Sequence, residues 1–228
     1  MPSLLINEVF YSLQGEGTRA GLPCVFIRLR GCPLRCAYCD TEYAFTEGGR
    51  WSIDGVIAEA ERVGPGCALY QVTGGEPLLQ PAVHGLMSRL CDAGKTVLLE
   101  TSGACDIGGC DARVIRVMDL KTPGSGEAHR NNLDNLSKLA ARDEVKFVLT
   151  DRTDYEWARR MTLEHGLADR VAAVLFSPAA AMAATSEIAG TPGLSLADLA
   201  HWVLDDRLPV RVQTQLHKLI WDPLARGV

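Results

Sequence analysis

The 228-residue sequence predicts an α/β fold with about six parallel strands. Two observations predict it. Short apolar, β-branched runs alternate with amphipathic segments of helical period along the chain, the pattern of strand–helix–strand units with helices covering a sheet. Glycine-rich or polar loops directly follow the strands, as in sheets whose ligands bind at the carboxyl ends of the strands. Hydrophobic residues make up 47% and charged residues 22%, enough for a core without staples and too apolar for a disordered chain. No repeat or linker divides the chain, so residues 1–228 are expected to form one domain.

The elements follow in order. Cys24 to Arg30 reads as a strand after the Gly21-Leu-Pro23 turn. Ser52 is a candidate N-cap for a helix over Ile53–Val63, whose Ile53, Val56, Ile57 and Ala60 share one face. Gly64-Pro-Gly66 ends it. Ala68–Thr73 is a strand broken by Gly74-Gly-Glu-Pro77. Pro81–Ala93 is helical, with Val83, Leu86, Met87 and Leu90 at core spacing and Gly94 as its terminator. Thr96–Glu100 and Val114–Leu120 are strands. A polar loop over Thr122–Asn132, a candidate lid, leads to an expected helix at Leu133–Ala141. Glu144–Leu149 is a strand, Thr153–His165 a helix and Val171–Phe176 a strand. Ser195 opens a helix toward Leu204, and Pro209–Val212 is a short final strand.

Several function classes fall away. The chain carries 23 Lys and Arg against 28 Asp and Glu, a net charge of −5, so no electrostatic footprint for nucleic acid is present. The first ten residues lack a basic segment followed by an apolar run, so no signal peptide is expected. The uncharged stretch Val171–Ser186 contains Pro178 and falls short of the ~20 apolar residues of a spanning helix. A cytoplasmic protein without a membrane partner is expected. There are eight cysteines. Three crowd into one short segment, a pattern that favours metal or redox chemistry over disulfides.

That segment is Gly31-Cys-Pro-Leu-Arg-Cys-Ala-Tyr-Cys-Asp-Thr41, with Cys32, Cys36 and Cys39 in a C-x3-C-x2-C spacing. Three soft thiolates on one loop suit an iron–sulfur cluster, zinc or copper(I). Structural zinc wants four ligands, usually from two short motifs, and no second C-x2-C follows. Three cysteines on a cubane leave one iron open. Two other readings stay open: a Cys36/Cys39 dithiol, and a zinc site completed by Cys24, Cys110 or a distant histidine. Cys24, Cys67 and Cys91 read as small core hydrophobes. Cys105 and Cys110 read as loop thiols.

The aromatic residue before the last cysteine makes this motif resemble the radical S-adenosylmethionine (SAM) superfamily signature, and Gly74-Gly-Glu-Pro77 resembles its second motif. The resemblance implies an open, reduced partial TIM-like barrel. It also implies a [4Fe–4S] cluster on Cys32, Cys36 and Cys39, whose open iron binds SAM. One-electron reduction then yields a 5′-deoxyadenosyl radical. Glu8 to Gly17, including Ser12-Leu-Gln-Gly-Glu-Gly17, is more specific. Together with Cys39-Asp-Thr41, Glu100-Thr-Ser-Gly103, Asp119-Leu-Lys121 and Gln213 to Lys218, it resembles the 7-carboxy-7-deazaguanine synthase family over nearly the whole chain.

That family contracts 6-carboxy-5,6,7,8-tetrahydropterin to 7-carboxy-7-deazaguanine with loss of ammonia, in the route to queuosine. Carried over residue by residue, the resemblance implies pterin contacts from Leu13, Gln14, Gly15, Glu16 and Thr73, with Arg28 gripping the carboxylate. It implies cofactor contacts from Tyr38, Cys39, Asp40, Gly75 and Glu76, and from Asp119, Lys121, Phe176, Ser177 and Pro178. Thr41 would hold Mg²⁺, its hydroxyl suiting a hard cation. His217 would stand near the closing C-terminal segment. A flavodoxin- or ferredoxin-like electron donor and a homodimer are expected. The alternatives are an activase of a glycyl-radical enzyme, which typically carries His-Asn where this chain has Asp40-Thr41, and a non-catalytic zinc module.

Overall fold

The computed structural model describes residues 2–222 and 225–228; Met1, Pro223 and Leu224 of the expected 1–228 span lie outside the described residues. The strands are β1 (Ser3–Leu13), β2 (Pro23–Leu29), β3 (Gly49–Ser52), β4 (Leu69–Gly74), β5 (Thr96–Thr101), β6 (Ile115–Asp119), β7 (Glu144–Leu149), β8 (Ala173–Pro178) and β9 (Arg211–Val212). They form one sheet in the order β3-β1-β2-β4-β5-β6-β7-β8-β9. From β2 through β9 every neighbouring pair is parallel, whereas β1 pairs antiparallel with both β2 and β3. The architecture is thus mixed α/β with a mostly parallel, open sheet.

The helices are α1 (Ile53–Val63), α2 (Val83–Asp92), α3 (Arg152–Glu164), α4 (Leu167–Arg170), α5 (Leu196–Asp205) and α6 (His217–Ile220). Their starts are chemically marked. Ser52, Asp151 and Ser195 each accept a backbone N–H from the first turn of α1, α3 and α5, satisfying a donor that the helix itself cannot. Gly94, at φ +76°, takes the left-handed position just after α2. No helix among the described residues is long and apolar enough to cross a membrane.

β1, β3, α4 and α6 lie outside the sequence expectations, and one expected helix takes another form. β1 was not expected, because a register shift between Ile6 and Glu8 breaks its alternation. The helix expected over Leu133–Ala141 is a 3₁₀ turn at Leu133–Lys138. There Asn132 accepts from Asp134 N, and Asn135 donates to the Gly103 and Cys105 carbonyls while accepting from Ile107 N; such side-chain bonds compete with the α ladder. β3, α4 and α6, at four residues each, are too short to leave a periodic signal.

The sheet has two chemically distinct faces, since successive side chains of a strand alternate. On one face Val25, Ile27 and Leu29 of β2, Tyr70 and Val72 of β4, Val97 and Leu99 of β5, and Val145, Phe147 and Leu149 of β7 form a continuous core. They pack with Val56 and Ala60 of α1, Leu86 and Met87 of α2, and Tyr155 and Ala158 of α3. The opposite face carries a small apolar floor of Phe10, Cys24, Phe26, Leu69, Leu98 and Ile115 and then becomes polar toward the strand ends.

Candidate active site

The polar strand ends open onto a cavity of about 240 Å³. Its wall repeats the alternation of the sheet. Arg28 of β2, Thr73 of β4, Glu100 of β5, Asp119 of β6 and Lys146 of β7 all face it, one residue out of phase with the core. Parallel register sets Arg28 beside Thr73 and Asp119 beside Lys146.

Cys32, Cys36 and Cys39 line this same cavity, on a loop held by its neighbours rather than by regular structure. Ala37 N donates to Ser125 O at 3.0 Å and Arg35 N to Glu127 Oε1 at 2.7 Å. The 122–132 segment, a candidate lid from sequence, therefore braces the cysteine loop. Asn131 exchanges hydrogen bonds with the Lys121 backbone and ties the segment down again. Gly75 brings the second motif against the same loop. A Cβ there would lie 2.2 Å from Gly31 O and 2.6 Å from Cys32 Cβ, so only glycine permits the approach.

Burial pushes all three thiols above their ordinary pKa, Cys39 to about 12. Buried thiols of this kind become ligands only when a metal replaces their protons. The surroundings fit a polar cofactor as well. Tyr38 Oη and Asp119 Oδ1 are buried and have no hydrogen-bond partner among the described residues, and both residues line the cavity; buried polar atoms of this kind need partners. Lys121, bonded to Asp119 at 2.9 Å, lies 5.6 Å from the Tyr38 ring centroid. Among the described residues, no three Cys, His, Asp or Glu side chains converge on a single ion. A zinc ion requires such convergence, whereas a cubane spreads its thiolates over separate irons.

At the other end of the cavity, Leu13, Gln14, Gly15 and Glu16 form a rim. The Arg28 Nε donates to Glu8 Oε1 at 2.7 Å, and Tyr43 Oη reaches the same oxygen at 2.9 Å. Arg28 itself lines the cavity. Phe10 and Phe26 stack beside it, with centroids 4.9 Å apart. Thr41 and Asp40 line the cavity, and Thr41 Oγ1 donates to Asp40 Oδ1 at 2.8 Å. Burial would raise the Asp40 pKa, but Lys218 at 2.6 Å holds it well below the carboxylate range.

Four residues expected at the cofactor do not line this cavity. Glu76 is fully buried and does not line the cavity. Its carboxylate accepts from Leu78 N, Thr101 Oγ1, Ser102 N and Ser102 Oγ, so it knots the Gly75 loop to the end of β5 instead of offering a free acceptor. Phe176 points to the opposite face of the sheet, because alternation along β8 sends it into the core against Phe147 and Tyr155. Ser177 is buried and Pro178 half-buried at the β8 end, and neither lines the cavity; Ala179 and Ala180 do so in their place.

The structure also adds Lys146 and Gln71, which the motifs did not single out, and gives Glu100 and the Gln213–Lys218 segment their contacts. Lys146 bridges Glu16 and Glu100. Gln71 donates to Glu100 Oε2 at 2.6 Å and accepts from Gln14 in a shorter contact. The C-terminal segment closes the rim. Gln215 Nε2 donates to Glu16 Oε1 at 2.7 Å, Gln213 Oε1 accepts from Gly17 N at 2.7 Å, and Leu216 N donates to Gly15 O at 3.0 Å. His217 sits so close to Gly15 that a Cβ there would lie 2.4 Å from its Nδ1. Alternation within the strands could have flagged Gln71 and Lys146, since each is a polar residue between apolar neighbours.

Comparison with known proteins agrees with this geometry. Residues 26–119 match the Radical SAM superfamily. The chain is 45% identical to the 7-carboxy-7-deazaguanine synthase of Koribacter versatilis, covering 98% of this chain and 99% of that protein. It is 42% identical to the synthase of Chlorobaculum tepidum, covering 99% and 97%. The fold resembles the crystal structure of QueE from Escherichia coli, with a TM-score of 0.66 and 24% identity over 94% of this chain and 95% of that one. By its full-length similarity to those enzymes, the chain belongs to the 7-carboxy-7-deazaguanine synthase family of radical SAM lyases.

Proposed function

We propose that this cavity takes 6-carboxy-5,6,7,8-tetrahydropterin, a small-molecule substrate, and contracts it to 7-carboxy-7-deazaguanine with loss of ammonia, for queuosine and related 7-deazapurines. One observation carries the reading: the three-thiol loop and the Leu13–Glu16 rim with Arg28 open onto one cavity. Radical SAM membership implies a [4Fe–4S] cluster and SAM, and Cys32, Cys36 and Cys39 would hold the cluster. When bound, these groups supply a carbon-centred radical by one-electron reductive cleavage.

The chain's own residues supply orientation. Arg28 presents its terminal nitrogens to the substrate carboxylate, a fork suited to two parallel hydrogen bonds, while Glu8 fixes the guanidinium from behind. Phe10 and Phe26 give the flat ring an apolar floor. Gln14 and the Leu13 and Gly15 backbone read the ring edge, Glu16 accepts from its amino group, and Thr73 adds a hydroxyl. Tyr38, Asp40, Gly75, Asp119 and Lys121 serve the SAM side, where the unpartnered Tyr38 and Asp119 oxygens await donors. Thr41 would hold a Mg²⁺ ion, its hydroxyl oxygen suiting a hard cation. The Gln213–Lys218 segment excludes water from the rim.

A flavodoxin- or ferredoxin-like protein provides the electron, and residues 1–228 act as one domain in a cytoplasmic homodimer; the uninterrupted sheet supports the single domain. The test is anaerobic reconstitution with iron and sulfide, followed by reductant, SAM and the carboxytetrahydropterin. Deazaguanine product is expected, and an intact cluster without product overturns the reading.

A further inference from the structure

Lys146 carries no motif, yet it stands at the centre of the cavity wall. Its side chain leaves the middle of β7 only 5% exposed. The ammonium donates to Glu16 Oε2 at 2.7 Å and to Glu100 in a shorter contact, with Asp119 Oδ2 3.7 Å away. These carboxylates come from three separate places: the loop after β1, the end of β5 and the end of β6. A Gln14–Gln71 relay links the Glu16 backbone to Glu100, but only the Lys146 ammonium bonds both carboxylates directly.

The charges around the group are few. Lys121 bonds the same Asp119 oxygen, Oδ2, at 2.9 Å. Gln215 and His217 approach Glu16 from the C-terminal segment. Glu144 lies behind the rim, paired with Arg19 at 3.3 Å, and Asp40, Lys218 and Arg28 form a separate group toward the cysteine loop. Two ammoniums therefore face three carboxylates, Asp119 buried and Glu16 and Glu100 half-buried. Burial disfavours every charge here, but Lys146 overrides it at Glu16, whose pKa falls below the ordinary value, while burial and its neighbours leave Glu100 raised.

We propose that Lys146 is the positioning residue of the substrate wall, tying Glu16 to Glu100 so that Glu16 meets the pterin ring edge as an oriented, ionised acceptor. The inference rests on the pterin reading above. Without Lys146 the two carboxylates would repel each other, and a shared proton would replace the ammonium between them. Binding of the ring edge would then recover only at higher pH.

The experiment titrates anaerobically reconstituted protein with SAM and with the carboxytetrahydropterin across a range of pH. Lys146→Met is expected to weaken the pterin about tenfold or more, with SAM affinity held within about twofold. The acid limb of pterin binding should move to higher pH, and Lys146→Arg should leave it where wild type has it. A limb that stays put in Lys146→Met, or an equal loss of pterin and SAM, overturns the inference. If Lys146→Met does not fold, Glu100→Gln decides. It frees Lys146 for Glu16, so the limb should move to lower pH, and an unmoved limb overturns the inference. Wild-type protein that binds SAM but not the pterin would instead overturn the substrate reading itself.

Discussion

The two faces of the sheet are built from the same strands and do opposite work. Toward the helices the strands present Val25, Ile27, Tyr70, Val72, Leu99, Val145 and Phe147, packed into one core. One residue over, they present Arg28, Gln71, Thr73, Glu100, Asp119 and Lys146 to the cavity. Burial is high on both. The apolar face is stabilised by removing hydrocarbon from water. The polar face is tolerable only because each charge finds a partner, and what it provides is a set of groups oriented for a ligand. Stability and chemistry are thus separated by a shift of one position along a strand, and substitutions on the two faces should fail in different ways.

The sharpest break lies on the cavity side, at the cysteine loop. Replacing Cys32, Cys36 or Cys39 by Ala should abolish both cluster assembly and turnover, read as iron content and product formed. Cys67→Ala, outside the cavity, should keep both. On the helix-covered face, Phe147→Ala should cost about 3–5 kcal/mol of unfolding free energy. Its ring sits edge-on to Phe176 at 5.5 Å and to Trp157 at 6.0 Å. Chemical denaturation measures the loss, and the surviving folded fraction should still assemble its cluster.

Arg28→Ala should weaken the pterin by about 2–5 kcal/mol and leave SAM binding intact. Calorimetric titration of each ligand separates the two, and unchanged pterin affinity would refute the carboxylate clamp. The smallest effect concerns pH. Burial would raise Glu16, yet Lys146 holds its pKa below the ordinary carboxylate value. Its contribution to stability is therefore complete above the unfolded carboxylate pKa and is lost as pH falls through the lower, folded value. Thermal midpoints recorded downward from neutral pH should fall across that range, and Glu16→Gln should flatten the slope. An identical slope in the variant would show that Glu16 carries none of it.

Much of the fold was legible because its signals are local. Ser52 before an amphipathic run marks α1 at its observed ends, and the apolar run Glu144–Leu149 coincides with β7. β1 escaped because its bulge disrupts the period, and the Leu133–Lys138 turn because asparagine side chains displaced the helical ladder. The cysteine loop was legible for the same reason as α1, being contiguous. The surroundings of Glu76 and Phe176 were not legible, because they are tertiary: the Glu76 carboxylate accepts from Thr101 and Ser102, and the strand pleat turns Phe176 into the core.

By itself the sequence determined the alternation of strands and helices, the trio of thiols, the glycines that let two loops meet and the family to which the chain belongs, all of them short-range patterns in which neighbours along the chain are neighbours in space. Only the tertiary structure decided that Glu16, Glu100, Asp119 and Lys146 form one ion cluster, and which rim atoms the C-terminal Gln213–Lys218 segment bonds. Those partners are separated by tens to hundreds of residues, and no local rule pairs them. Parallel register and the side-chain alternation of the sheet bring them together, and the cost of leaving a buried charge unpaired holds them there.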